Sequence, residues 1–318
     1  MKLDLVIYAI AVVFLLLLEL GYFRIAEQFK IIDRPNERSS HKHPTIRGGG
    51  IIFILAAFLF SALNDFSYPF LMMALLLSGV VSFMDDIRSM PSWLRFFIQL
   101  VSGLLILYES SLMGLDLFYI LIILVLIIGV VNAYNFMDGI NGITGFYSLA
   151  ILLPLLLTEE NEMLRDLELF TLLSAVVFLF FNARKRARCF AGDVGSVGMA
   201  MIILFLLINR IYATHNFNYI GFLLLYGVDT ILTIIQRLYI GENIFKPHRK
   251  HLFQLFSNEF KIPHLVVGAG YGLIQLGVNF YIVAQSSSAL LLFGLILITG
   301  LAYIFIKVKS YQWIRRSQ

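Results

Sequence analysis

Four short clusters combine residue types that can handle a cation and a phosphate. Phe83-Met84-Asp85-Asp86-Ile87-Arg88 places two adjacent carboxylates at the end of an apolar run. Such a pair repels itself unless a cation or a proton lies nearby, so it reads as a metal or proton-transfer site, or else as a solvated turn. Arg95, nine residues after Asp86, can pair with those carboxylates or hold a phosphate. Asn132, Asn135 and Asp138 recur every three residues, which on a helix sets them along one face. Three polar groups on one stripe at the end of a membrane helix are costly without a partner, and capping accounts for only one of them. Gly139, Asn141 and Gly142 follow directly, and the glycines allow the backbone to turn and approach a ligand. Gly192-Asp193-Val194-Gly195-Ser196 opens another apolar run. Asp193 is either an N-cap, with Ser196 in the first turn, or a ligand for a hard cation such as Mg²⁺ at a helix end that also suits phosphate. The fourth cluster is Lys246-Pro247-His248-Arg249-Lys250-His251. It reads as a basic juxtamembrane patch or as a phosphate clamp with titratable imidazoles. With no cysteine or third ligand it is a poor zinc site.

These clusters must be positioned by elements of an unusual kind. Of 318 residues, 59% are hydrophobic and 14% charged, with a mean hydropathy of +0.86. Soluble domains carry about 25% charged residues. Disorder is excluded by the hydrophobicity, and a disulfide scaffold by the single cysteine, Cys189. The pattern predicts an all-α, polytopic membrane protein. Eleven apolar stretches run near 4–23, 49–63, 68–84, 93–109, 115–133, 140–157, 168–182, 194–210, 218–237, 263–284 and 287–306. The first has only Lys2 before it and no small-residue cleavage pattern, so it reads as a span rather than a signal peptide. Long runs without alternation favour helices over barrel strands.

Lys and Arg divide sharply between the gaps. Six fall in 24–47, two in 85–95, four in 183–193, five in 237–262 and four after 306, leaving only Lys2, Arg165 and Arg210 for the other side. The positive-inside rule then predicts a cytoplasmic C-terminus and an external N-terminus. All four clusters fall on the cytoplasmic side. Carboxylates for a divalent cation, cationic side chains for phosphate and amides for hydrogen bonds suggest phosphoryl transfer, with a lipid phosphate and a nucleotide compound as substrates. Two carboxylates, Glu19 and Asp229, fall inside spans and are either helix–helix hydrogen-bonding groups or functional ones.

The chain resembles the polyprenyl-phosphate N-acetylhexosamine-1-phosphate transferases, in glycosyltransferase family 4. The resemblance is carried by Asp33-Arg34-Pro35-Asn36-Glu37-Arg38-Ser39-Ser40-His41 with Pro44 and Gly48 to Gly50, by Asp85-Asp86, by Asn132 to Gly139, by Gly192 to Ser196, and by the loop with His248 and His251. It implies one transmembrane catalytic domain over 1–318, in the bacterial inner (cytoplasmic) membrane. The implied reaction converts a UDP-HexNAc and undecaprenyl phosphate to undecaprenyl-diphospho-HexNAc and UMP. It implies Mg²⁺, for which Mn²⁺ can substitute, with Asp193 at the metal position. Asp85 and Asp86 match the pair near the lipid phosphate, and Asp138, Asp193, His248 and His251 complete the catalytic set. Asn132, Asn135, Asn141, Arg95, Arg249, Ser196, His41 and Arg47 are the implied substrate-binding residues. Asn135 falls near the diphosphate. Asn141 falls at a uracil position where many members carry Asp, and an Asn oxygen still accepts the uracil N3–H. The loops at 33–41 and 247–254 look more like the O-antigen and capsule branch than the muramyl-pentapeptide branch. No nucleic-acid partner is expected, and the pattern leaves room for a homodimer. The alternative is a secondary transporter, which calls for midplane carboxylates and an internal repeat; the key carboxylates here sit at helix ends, and no repeat is evident.

Overall fold

In a bilayer each long apolar run must satisfy its own backbone, and helices are the result. The computed structural model describes residues 5–35, 43–244, 246 and 248–317. His41 and residues 36–40 lie outside them, as does Pro247. The helices are α1 (Leu5–Gln28), α2 (Ile51–Leu63), α3 (Pro69–Ile87), α4 (Ser92–Glu109), α5 (Leu117–Met137), α6 (Ile143–Thr158), α7 (Glu162–Asn182) and α8 (Gly192–Thr214). A 3-10 segment, Phe217–Leu223, leads into α9 (Leu224–Tyr239). A single turn, α10 (Leu252–Gln254), runs into a π-helical segment, Leu255–Glu259, and is followed by α11 (His264–Val283) and α12 (Ala289–Ser317).

Eight membrane-length apolar helical segments are found among the described residues. They are α1, α3, α4, α5, α8, the joined 3-10 segment and α9, α11, and α12. The other three predicted stretches are helical too. Two of them, α2 and α6, are short, and α7 begins six residues before 168 on the polar turn holding Glu162, Arg165 and Asp166. The last helix continues eleven residues past 306 because its tail is rich in good helix formers, with Arg315 and Arg316 in the favourable last turn. One feature departs from all-α. Ile32–Asp33 (β1) pairs antiparallel with Thr45–Ile46 (β2), Ile32 opposite Ile46 and Asp33 opposite Thr45. Ile46 also bridges to Cys189 in parallel, which ties the segment before Arg47 to the entry of α8.

Helix ends are satisfied by carboxylates from neighbouring helices. Glu109, at the end of α4, accepts from the backbone N–H of Phe70 at 2.6 Å and of Leu71 at 3.1 Å. Asp86, at the end of α3, accepts from the N–H of Asp193 at 2.8 Å and of Val194 at 3.1 Å. Each places a negative charge on the positive end of a helix dipole. Helix α8 is buried on nearly all sides, packed by α2, α3 and α5. Helix α11 lies close along α6 because Gly268 and Gly272 face it: a Cβ there would sit 3.1 Å from Ile143 N and 3.0 Å from Phe146 O. Most of α12 is exposed, as suits a helix facing lipid.

Candidate active site

The ends of α3, α4, α5 and α8 meet Arg47 at one place. Arg47 leaves β2 and reaches both acid positions, with Nε 2.6 Å from Asp86 Oδ1 and a terminal nitrogen 3.2 Å from Asp193 Oδ1. Arg95, one turn into α4, stands 3.0 Å from Asp85 Oδ2 and 3.9 Å from Asp193 Oδ2. Asp85 also accepts from the N–H of Met90, which fixes the α3–α4 turn. Asp86 can reach the start of α8 because residue 192 is glycine. Its φ is +71°, and a Cβ would lie 2.5 Å from Asp86 Oδ2 and 2.8 Å from Gly48 N. Ser196, one turn on, receives the Asn135 amide at 3.2 Å and donates to the Gly192 carbonyl at 3.1 Å.

Asp85 and Asp193 are themselves in side-chain contact. Two carboxyl groups this close repel unless a proton or cation lies between them, so these are the residues that could hold a divalent ion. No group of three His, Cys, Asp or Glu side chains converges as a metal cage among the described residues. Burial works against the Arg47 charge, but the Asp86 and Asp193 carboxylates outweigh it and hold the guanidinium above its ordinary pKa. Asp138, just past the end of α5, is pushed up to about 6 by burial, opposed by the hydroxyl of Thr144, which donates to it at 2.6 Å.

Beside these groups opens a small cleft of about 30 Å³. Its walls include Ser82 of α3, Arg95 and Gln99 of α4, Asn132 and Asn135 of α5, and Asp193 of α8. Residues 68–210 match the model of glycosyl transferase family 4. That segment belongs to glycosyl transferase family 4. That match supports a membrane phospho-sugar transferase acting on a polyprenyl phosphate. No curated protein matches the chain. The family 4 segment takes in Asp85, Asp86, Arg95, the Asn132–Asn141 run, Asp193 and Ser196; Arg47 and the histidine loop come from outside it.

Asp138, Asn141, His248 and His251 are not among the residues lining the cleft. Asn141 is buried, its amide donating to the Arg184 carbonyl at 2.8 Å. The polar stripe on α5 divides its attention: Asn132 donates to Gln99 at 3.0 Å and to the Ile128 carbonyl at 2.8 Å, Asn135 turns to Ser196, and Asp138 to Thr144. His248 and His251 lie close together, ring centres 4.9 Å apart. His251 lies 6.5 Å from the ring of Phe136, the residue after Asn135. Arg237 shapes this loop, its buried guanidinium donating to the carbonyls of Asn243, Ile244 and Lys246 while pairing with Glu242. Glu242 also pairs with Lys250.

Sequence reasoning missed Gln99, whose only signal is its place one turn after Arg95 on α4. It also missed Tyr22, whose hydroxyl donates to the Arg47 carbonyl at 2.5 Å. Of the two intraspan acids, Glu19 accepts from the Cys189 thiol at 3.5 Å, and Asp229 binds His251.

Proposed function

We propose that the protein transfers HexNAc-1-phosphate from a UDP-HexNAc to undecaprenyl phosphate, giving undecaprenyl-diphospho-HexNAc and UMP and starting a surface polysaccharide. The observation that carries this reading is the meeting of Arg47, Asp85, Asp86, Arg95, Asn135 and Asp193 beside one small cleft. An apolar fold with carboxylates, arginines and amides gathered at one site suits a reaction between a membrane-anchored phosphate and a water-borne nucleotide. The side on which this site falls carries most of the Lys and Arg, so the positive-inside rule puts it in the cytoplasm, with the whole chain acting as a single catalytic domain in the inner membrane.

In this reading a lipid phosphate oxygen attacks the sugar-bearing phosphorus of the diphosphate. The P–O bond to the bridging oxygen breaks, and UMP leaves with that oxygen. The lipid phosphate is largely ionised near neutrality, so little general-base help is needed; a route through an aspartyl phosphate is the chemical alternative. Arg95 lines the cleft and is positioned to take a phosphate oxygen, and Arg47 balances Asp86 and Asp193. Asn132 and Asn135 present amides from α5. Asp193, with Asp85 in contact, would hold Mg²⁺. When bound, that ion supplies charge neutralisation at the phosphates.

The test is purified protein with undecaprenyl phosphate, Mg²⁺ and a panel of UDP-HexNAc donors, with UMP as the readout. Asp193→Asn should lower the rate by about 10²-fold or more, the scale of losing a principal electrostatic group. It should also weaken Mn²⁺ binding measured by electron paramagnetic resonance without substrate. Normal UMP release and unchanged Mn²⁺ affinity in this variant would remove Asp193 from the metal site.

A further inference from the structure

Asp229 lies in α9, buried with its carboxylate surrounded by donors. Its Oδ1 lies 3.0 Å from His251 Nδ1, 2.9 Å from the Tyr303 hydroxyl of α12 and 3.3 Å from Thr233 Oγ1. Its Oδ2 accepts from the Tyr271 hydroxyl of α11 at 2.8 Å and from the Leu252 N–H at 3.2 Å. Lys307 stands behind this shell, donating to Thr233 Oγ1 at 2.8 Å and to the Tyr303 hydroxyl at 2.7 Å. Three helices therefore converge on one carboxylate, and that carboxylate holds one imidazole.

A carboxylate in such a shell accepts, so Nδ1 of His251 carries a hydrogen and donates it. The partner of one ring nitrogen decides the state of the other. His251 Nε2 is buried and has no hydrogen-bond partner. A histidine kept only to join the loop to the bundle would have no use for an unpaired buried nitrogen, whose desolvation goes uncompensated. The ring is flanked by Phe253, His248 and Phe136, so neighbours restrain it from both the loop and α5.

We propose that Asp229 is a positioning residue for the transfer: it holds Nδ1–H of His251 inward, so that Nε2–H of the imidazolium it pairs with is aimed as a donor at a phosphate oxygen of a substrate. This rests on the phosphoryl-transfer reading above. The phosphate is either that of the lipid or that of the nucleotide sugar, and the two KM values separate them.

In wild type and Asp229→Asn, kcat and the KM for each substrate are measured by UMP release, alongside His251→Ala and the double variant. Expected is a 10- to 100-fold lower kcat in Asp229→Asn, the scale of second-layer partners that orient a ligand histidine. Any KM rise should fall on the one substrate whose phosphate meets Nε2. The double variant should be no slower than His251→Ala alone. A wild-type kcat in Asp229→Asn, or losses that multiply in the double variant, would overturn the positioning role. A wild type that releases no UMP from any donor would instead overturn the transferase reading. Nitrogen NMR of ¹⁵N-histidine-labelled wild type tests the arrangement without turnover and stands even where Asp229→Asn does not fold. A His251 ring protonated at both nitrogens supports the proposal, and a ring lacking the proton on either nitrogen overturns it.

Discussion

Arg47 is the side chain on which two acid positions from different helices meet, and its partner Asp86 is fully buried while Arg47 itself is about one-third exposed. Charged hydrogen bonds of this kind are worth roughly 1.5–3 kcal/mol. Arg47→Ala should therefore lower the thermal midpoint in detergent and cut UMP release by about 10²-fold. Arg47→Lys should restore little, because a single ammonium cannot match the guanidinium fork that reaches both carboxylates; full rescue by lysine would show that only the charge matters. His248 offers a test by pH. Burial first, then His251 and Arg237, pushes its imidazole down to about 4 from an ordinary 6.5. The unfolded chain takes up this proton first as pH falls. The stability due to His248 is thus complete above 6.5 and is lost as pH drops toward about 4. His248→Gln should flatten the decline in thermal midpoint across that window, and an equally steep decline would show that other groups cause it.

At the scale of elements, the decisive contact is the capping of α8 by the end of α3. The sequence left Asp193 as a candidate N-cap, but the capping carboxylate is Asp86, 107 residues away, and no local pattern encodes it. This frees the Asp193 side chain for the cleft. The arrangement depends on Gly192, where φ is +71° and a Cβ would meet Asp86 and the Gly48 backbone. Gly192→Ala should cost about 1–3 kcal/mol through backbone strain and displace Asp86, lowering both the thermal midpoint and the rate. Near-wild-type values for both would mean that α8 holds its start without the cap. The β1–β2 ribbon was equally illegible: two residues per strand are too few to show alternation, yet they place Arg47.

At the scale of the molecule, the distribution of Lys and Arg predicts that 158–166 lie outside and 184–190 in the cytoplasm. Cys189 is buried, so single-cysteine reporters can be added against it. A membrane-impermeant thiol reagent applied from outside should label Glu160→Cys in intact cells and spare Lys185→Cys. The reverse labelling would invert the orientation.

By itself the sequence determined the all-helical membrane character and the position of each apolar helix, because hydrophobic length is local and a bilayer leaves an exposed backbone no other solution. It also marked Asp85, Asp86, Asn135, Asp193 and the histidine loop, since charges are few enough in such a chain for each to stand out. Only the tertiary structure decided what those groups touch. The resemblance places Asn141 at a uracil position, and only the tertiary structure shows its amide donating to the Arg184 carbonyl. Asp229 looked like one of two isolated intraspan acids but is the hub of α9, α11, α12 and His251. Such pairings join residues tens to more than a hundred positions apart. They depend on how the helices pack and turn about one another, which hydrophobic periodicity does not specify.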